Sequence, residues 1–379
     1  MEPARERTAA FSLPRYQPPD FSVPPLVDAP PARFESVTSA GVAPEDFHAT
    51  SIFPEYVQVG KGDWRLVRDS RMDCTVVLEP GGRLSVREFR HLRRGDLVAV
   101  GRRENGEDGI YVHTAPFQMT REETAEKFAF RTVVSRETSF SIDYDQLYEL
   151  LTHERKHGFV LWVLGPAVAF DHDAREAFGN IVREGFVHGL AAGNALAVHD
   201  LEASLWGTAL GQEIYSKRYA PLGHYKHLDT INRIRALGSI EKAVREGVVG
   251  DGIMRAVVEQ GIPYVLAGSI RDDGPLPEVT ADAYEAQDQM RRLAARATTV
   301  IAMATQLHSI AMGNLLASYR VMPDDTVRPV YFYTVDMSEF AGQKLANRGS
   351  LTARSILTNV QDFVVTLERG LRKKGRQTS

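Results

Sequence analysis

The chain has 379 residues, 43% hydrophobic and 25% charged, with a formal net charge of −4. That balance argues against a dedicated nucleic-acid binder, and no apolar run approaches the roughly 20 residues a membrane span needs. A single cysteine, Cys74, excludes internal disulfides and fits a reducing compartment, so a cytoplasmic protein with room for two domains is expected. The first residues are charged and lack the apolar core of a secretion signal, which supports the same expectation.

Residues 1–34 hold eight prolines and read as an extended arm. Its interleaved Phe11, Tyr16 and Phe21 either lie against a folded surface, such as that of a neighbouring subunit, or belong to a loose tail. Residues 35–118 have a β texture. Short strands are expected at 64–67, 74–78, 96–100 and 110–113, separated by turn signals such as Glu79-Pro-Gly-Gly82 and Arg94-Gly-Asp96. They read as a small antiparallel barrel or sandwich, with Cys74 as a core residue. Residues 119–158 are a polar connector ending in a helix at 144–157.

From 159 onward strands and helices alternate. The apolar run 159–164 reads as a strand covered on both faces. Strands follow at 187–192, 263–268, 298–304, 329–335 and 355–358. Helices are expected at 173–184, 194–205, 224–236, 238–246, 251–260, 280–296, 308–317, 338–346 and 360–370. Six strands with intervening helices make a doubly wound parallel sheet over 159–372, an α/β fold with a smaller β-rich N-terminal domain. The basic tail 373–379 reads as a solvated end.

The chemically loaded residues stand where strands end, the place where open α/β sheets bind ligands. The undecapeptide Ala267 to Pro277 carries Arg271, a fork for a carboxylate, beside two proton acceptors, Asp272 and Asp273. A salt-bridged surface turn is the plainer reading. Asn194 is expected to cap a helix start, with His199 and Asp200 further along that helix. Ser309 and its neighbours stand at another helix start, and Asp336 at a late strand tip suits a ribose diol. The Gly-x-Gly-x-x-Gly fingerprint is missing after the first strand, where only Gly165-Pro166 stands. His224 and His227, with Asp229 nearby, have no third ligand in register, so no metal site is expected.

The words Gly165-Pro-Ala-Val168, Ala192 to Asp200, Ala267 to Pro277, Leu307-His-Ser-Ile-Ala311, Gly313-Asn314, Val335-Asp336 and Arg348-Gly-Ser350 resemble the NAD-dependent ornithine cyclodeaminases of archaea and cyanobacteria. In the N-terminal part, Met72-Asp-Cys74 and Arg94-Gly-Asp-Leu97 resemble the module those enzymes share with LOR/SDH-type proteins. The resemblance implies a deoxyhypusine synthase-like nucleotide domain and NAD held by Asn194, Ala195, Gly268, Ser269, Ile270, Leu307, Ser309, Gly313, Asn314 and Asp336. It implies net redox-neutral conversion of ornithine to proline and ammonia. Asp272, Asp273, His199 and Asp200 are then the catalytic candidates. Arg271, His227, Asp171 and His172 are those for the substrate. A homo-oligomer, tetramer or dimer, is also implied.

The chain departs from the family at several words. Phe170-Asp-His-Asp173 stands where His-Thr-Gly-Gly is usual. In Gly252-Ile-Met-Arg-Ala-Val257 the family's aromatic is Arg255, and its cysteine, a candidate active-site group, is Val257. The late Thr-Asp-Val is Thr358-Asn-Val360. The cofactor words survive better than the substrate words. Two alternatives therefore stand beside ornithine cyclodeamination: an NAD enzyme acting on another amino acid or amine, and a non-catalytic NAD-binding protein.

Overall fold

The structure, a computed structural model, describes residues 11–118, 140–272, 274–338 and 352–377. Asp273, residues 119–139 of the connector, the expected helix beyond residue 338 and the word Arg348-Gly-Ser350 lie outside these residues.

Two small antiparallel sheets form the N-terminal region. One has the order β1 (Arg33–Ser36), β6 (Leu97–Val100), β4 (Thr75–Leu78), β5 (Leu84–Arg87); the other has β3 (Asp63–Leu66), β2 (Glu55–Gly60), β7 (Ile110–Val112). Val57, Val67, Val76, Ala99 and Ile110 form the core between them. Strand β2 was illegible because it buries polar residues: Glu55 takes a 3.1 Å bond with His48 and Gln58 is 1% exposed. Cys74 is buried, and burial pushes its thiol up to about 11, so it is a packing residue. The arm lies on the chain's own β region. Phe21 stacks on Trp64 at 5.0 Å, and Tyr16 and Tyr56 share a 2.6 Å hydroxyl bond.

The second region is a seven-stranded, all-parallel sheet. Its order is β13 (Val279–Thr280), β12 (Tyr264–Ala267), β9 (Gly189–Gly193), β8 (Val160–Leu164), β14 (Thr299–Met303), β17 (Tyr331–Asp336), β18 (Thr352–Leu357). The sequence reading supplied six of these; the two-residue β13 adds an edge strand. Without β13, the six main strands, numbered by their position in the chain, lie in the order 3-2-1-4-5-6, the doubly wound arrangement. Side chains alternate between two apolar layers. Val160, Trp162 and Leu164 join one, while Leu161 and Val163 join the other.

Nine helices are described: α1 (Phe140–His157), α2 (His172–Arg183), α3 (Asn194–Trp206), α4 (Gly223–Leu237), α5 (Ile240–Arg245), α6 (Ile253–Glu259), α7 (Ala283–Ala294), α8 (Gln306–Asn314) and α9 (Val360–Gln377). Two hairpins, β10 (Thr208–Ala209) with β11 (Gln212–Glu213) and β15 (Tyr319–Val321) with β16 (Val327–Pro329), were not expected. Nor does the basic tail hang free. Helix α9 continues into it as far as Gln377, with Arg372 paired to Glu368 at 2.8 Å and Lys374 to Glu149 at 3.0 Å. No helix among the described residues is long and apolar enough to cross a membrane.

Candidate active site

The connections of the sheet part between β8 and β14, and such a switch point opens a crevice at the carboxyl ends of the strands. Here the two strand exits are pressed together. A methyl on Gly165 would stand 1.8 Å from the Ala304 carbonyl oxygen, and Ala304 itself holds a left-handed φ of 53°. One glycine thus allows the backbone approach that a Gly-rich loop gives elsewhere. Gly165 is required because no side chain fits.

Helix starts differ in how their first-turn amides are met, and α4, which follows the β10–β11 hairpin, has no side-chain cap. Asp171 caps α2 through the Ala174 amide, Ser239 caps α5, and Asp282 caps α7 through two amides. Asn359 accepts from Gln361 at the start of α9. At α3 and α8, which leave β9 and β14 on either side of β8, no side chain caps the first turn. Their free N–H groups are left for a ligand, and with the helix dipole they favour an anion. This donor set fits the pyrophosphate of a dinucleotide.

Asn194 is therefore not a cap, as expected from the sequence; Gly193 is, and Asn194 begins α3. Its buried side-chain oxygen accepts the Leu276 amide at 3.2 Å, which ties the loop after β12 to the start of α3. Ala195 follows in the same turn. Gly268 is pinned by a 2.8 Å bond to the Thr280 carbonyl. Ser269 and Asp272 close a tight turn: the Ser269 amide donates to Asp272 Oδ2 at 2.8 Å and the Asp272 amide to the Ser269 carbonyl at 3.0 Å. Arg271 is exposed there. Ile270, Leu307 and Met337 are exposed apolar residues just beyond the ends of β12, β14 and β17. Asp336 ends β17, with one oxygen accepting the Ser338 amide at 2.9 Å. Ser309 is buried and donates its hydroxyl to the Thr305 carbonyl. Gly313 and Asn314 lie at the far end of α8, roughly 10 Å along its axis from the free amides.

The remaining candidates lie to one side. Asp200 is fully buried and committed to the fold. It pairs with Arg175 at 2.6 Å and accepts the Ile253 and Met254 amides at 2.9 and 2.7 Å. It caps α6 from a neighbouring helix, which corrects its expected catalytic part. His199 Nδ1 bonds the buried Glu202 at 3.0 Å, and its ring packs edge-on to Phe170 at 5.2 Å. Glu202 also accepts from Thr208 at 2.9 Å and from the Leu210 and Gly211 amides at 3.3 Å. Asp171, besides capping α2, pairs with Lys217 at 2.8 Å. Burial would raise its carboxyl, but Lys217 and the Ala174 amide hold it below the usual range. Its carboxylate is thus engaged by Lys217 and by the start of α2. His172 is half-buried, with its Nδ1 3.2 Å from Asp173 Oδ1 and its ring 5.2 Å from Tyr215. His227 is half-buried on α4, which packs against α3.

Sequence reasoning missed Arg175, Glu202, Lys217 and His308. The first three make their contacts through folding alone. His308 lay inside a quoted word and at a helix start after a strand, a signal that was present. A groove of about 920 Å³, lined by Tyr16, Tyr56, His153 and His157 among others, lies at the opposite, amino end of the sheet and holds none of these residues. Among the described residues the one group with metal-ligand spacing is Glu88, His91 and Asp288, and Arg71 and Arg90 already engage its carboxylates.

Fold and site define an α/β protein with a nucleotide-type crevice at its switch point. Residues 146–367 match the family described as arginine dihydrolase ArgZ-like, C-terminal, Rossmann fold. The ornithine cyclodeaminase of Methanopyrus kandleri is 39% identical over 342 residues, 90% of this chain and 78% of that one. A conserved LOR/SDH protein of Methanococcus maripaludis has a solved structure that matches with a TM-score of 0.81 at 33% identity, covering 91% of this chain and 99% of that one. The ternary complex of AgrE with ornithine and NAD+ matches at 0.54 and 32% identity, over 92% of this chain and 46% of that one. The chain belongs to this ArgZ-like ornithine cyclodeaminase family.

Proposed function

We propose that the chain is an NAD-dependent ornithine cyclodeaminase, converting ornithine to proline and ammonia with no net redox change. The observation that carries this reading is where the departures from the family fall. Val257 is fully buried in the main apolar core, so a thiol there would be a packing group. Arg255 lies on the surface, paired with Glu259 at 2.6 Å. Asn359 caps α9, a task aspartate performs equally well. Only 170–173 touches the candidate site.

In this reading the amides opening α3 and α8 hold the pyrophosphate of NAD, and Asp336 accepts from a ribose. When bound, NAD supplies reversible hydride acceptance at the substrate's α-carbon. The Arg271 guanidinium binds the α-carboxylate, and Asp272 and Asp273 receive the ammonium groups. His199 Nδ1 is engaged by Glu202 at 3.0 Å, which leaves Nε2 for the substrate.

Incubating the purified protein with ornithine and measuring ammonia and proline, with NAD released on denaturation, tests this. Equal yields of both products are expected. Bound NAD without either product at any ornithine concentration sinks the ornithine assignment and leaves an NAD enzyme for another amine, with 170–173 as the altered segment. We also infer a cytoplasmic protein, since one cysteine suits a reducing compartment. A homo-oligomer is supported by the exposed Leu210, Tyr215, Tyr219, Leu222 and Tyr225. A monomer mass by light scattering at micromolar concentration would overturn it.

A further inference from the structure

We propose that His308 touches the bound amino acid and accepts a proton from its amine, an inference that rests on the cyclodeaminase reading. His308 belongs to the first turn of α8, at the carboxyl end of β14. Its ring reaches across to β9, because a methyl on Gly193 would stand 3.2 Å from His308 Cε1. Strand β8 lies between β9 and β14, so the imidazole spans the switch point. Gly193 leaves the notch that the ring occupies.

The ring is half-buried, and among the described residues it has no hydrogen-bond partner. This sets it apart from His199, whose Nδ1 is held by Glu202, and from His188, whose Nδ1 accepts the Val160 amide at 2.9 Å. Burial lowers the pKa of His308, which favours the uncharged ring near neutral pH. An uncharged imidazole with an open lone pair, beside two free helix starts, is a base without a structural task. In the step proposed, an ammonium N–H bond of the substrate breaks and an N–H bond forms on the ring. The electron pair stays on the amine nitrogen, and the ring becomes imidazolium.

The test is His308→Asn in the full-length protein, with NAD content and melting temperature measured beside turnover. The variant should keep its NAD and its fold, while kcat on ornithine falls by ~10²-fold or more and KM changes far less. Added imidazole should restore part of the activity of His308→Ala. A variant that turns over at the wild-type rate, or one that loses NAD, overturns the proposal. A second measurement does not depend on turnover. Diethyl pyrocarbonate acylates uncharged imidazole, and peptide mapping should find His308 modified in the NAD-loaded protein and protected by ornithine. If the wild type makes no proline while lysine protects His308, the ornithine assignment fails and the His308 contact stands. Absence of protection by ornithine, lysine or arginine removes the contact.

Discussion

The starts of α3 and α8, on either side of β8, and the carboxylate-capped starts of α2, α6 and α7 are built from the same backbone, yet their first turns are met differently. Helices α2, α6 and α7 receive carboxylates from Asp171, Asp200 and Asp282, whereas α3 and α8 receive no side chain. A capped first turn stabilises its own helix, and its amides are no longer available to a ligand. An uncapped one costs stability and leaves donors pointing at a crevice. The contrast separates residues that hold the fold from residues that would hold the cofactor. It also places Asp200 in the first set despite its sequence neighbours.

The comparison can be broken most sharply at Asp200. Asp200→Ala would leave the buried Arg175 with only the exposed Asp251 as a carboxylate partner and free two α6 amides, at a cost of ~3–5 kcal/mol. Urea denaturation checks this, and a loss below ~1 kcal/mol would remove Asp200 from the structural set. Next is Gly165→Ala, where the new methyl meets the Ala304 carbonyl oxygen at 1.8 Å. Overpacking of ~1–3 kcal/mol at the switch point should cut NAD affinity by about tenfold or more. Fluorescence titration with NAD reads that out; unchanged affinity would mean the cofactor lies elsewhere.

A matched pair then sharpens the contrast. Asp282→Ala removes a cap and should cost ~1 kcal/mol of stability with NAD binding unchanged. Thr305→Asp adds a cap to α8 and should gain up to ~1 kcal/mol while weakening NAD, since the carboxylate competes for the same amides. Both gaining or both losing affinity would dissolve the distinction. The smallest effect is Lys217→Met, below ~1 kcal/mol for a largely exposed pair. The Asp171 carboxyl is held below its ordinary value of 3.8, so its pairing is fully present above that pH. It is lost as pH falls through the lowered value. The variant and wild type should therefore converge in acid melting curves; divergence on acidification would assign the shift to another group.

The sequence by itself determined the parallel sheet, because continuous apolar runs such as 160–164 have no stable place except between two helical layers. It also marked the strand ends as the site, since Gly, Asn and Asp punctuate the chain there. What it left open depended on partners far apart in the chain. Asp200 looked catalytic until Arg175, 25 residues away, and the α6 amides more than 50 residues away claimed its oxygens. Val257 looked like a lost nucleophile until its position proved to be core. His308 looked like one more letter in a helix until Gly193 and burial gave it an open, uncharged ring over the switch point. Local pattern sets where a ligand can sit, because backbone geometry at strand ends is local. Which side chains remain free to act on that ligand is a matter of hydrogen-bond partners, and only the tertiary structure distributes those.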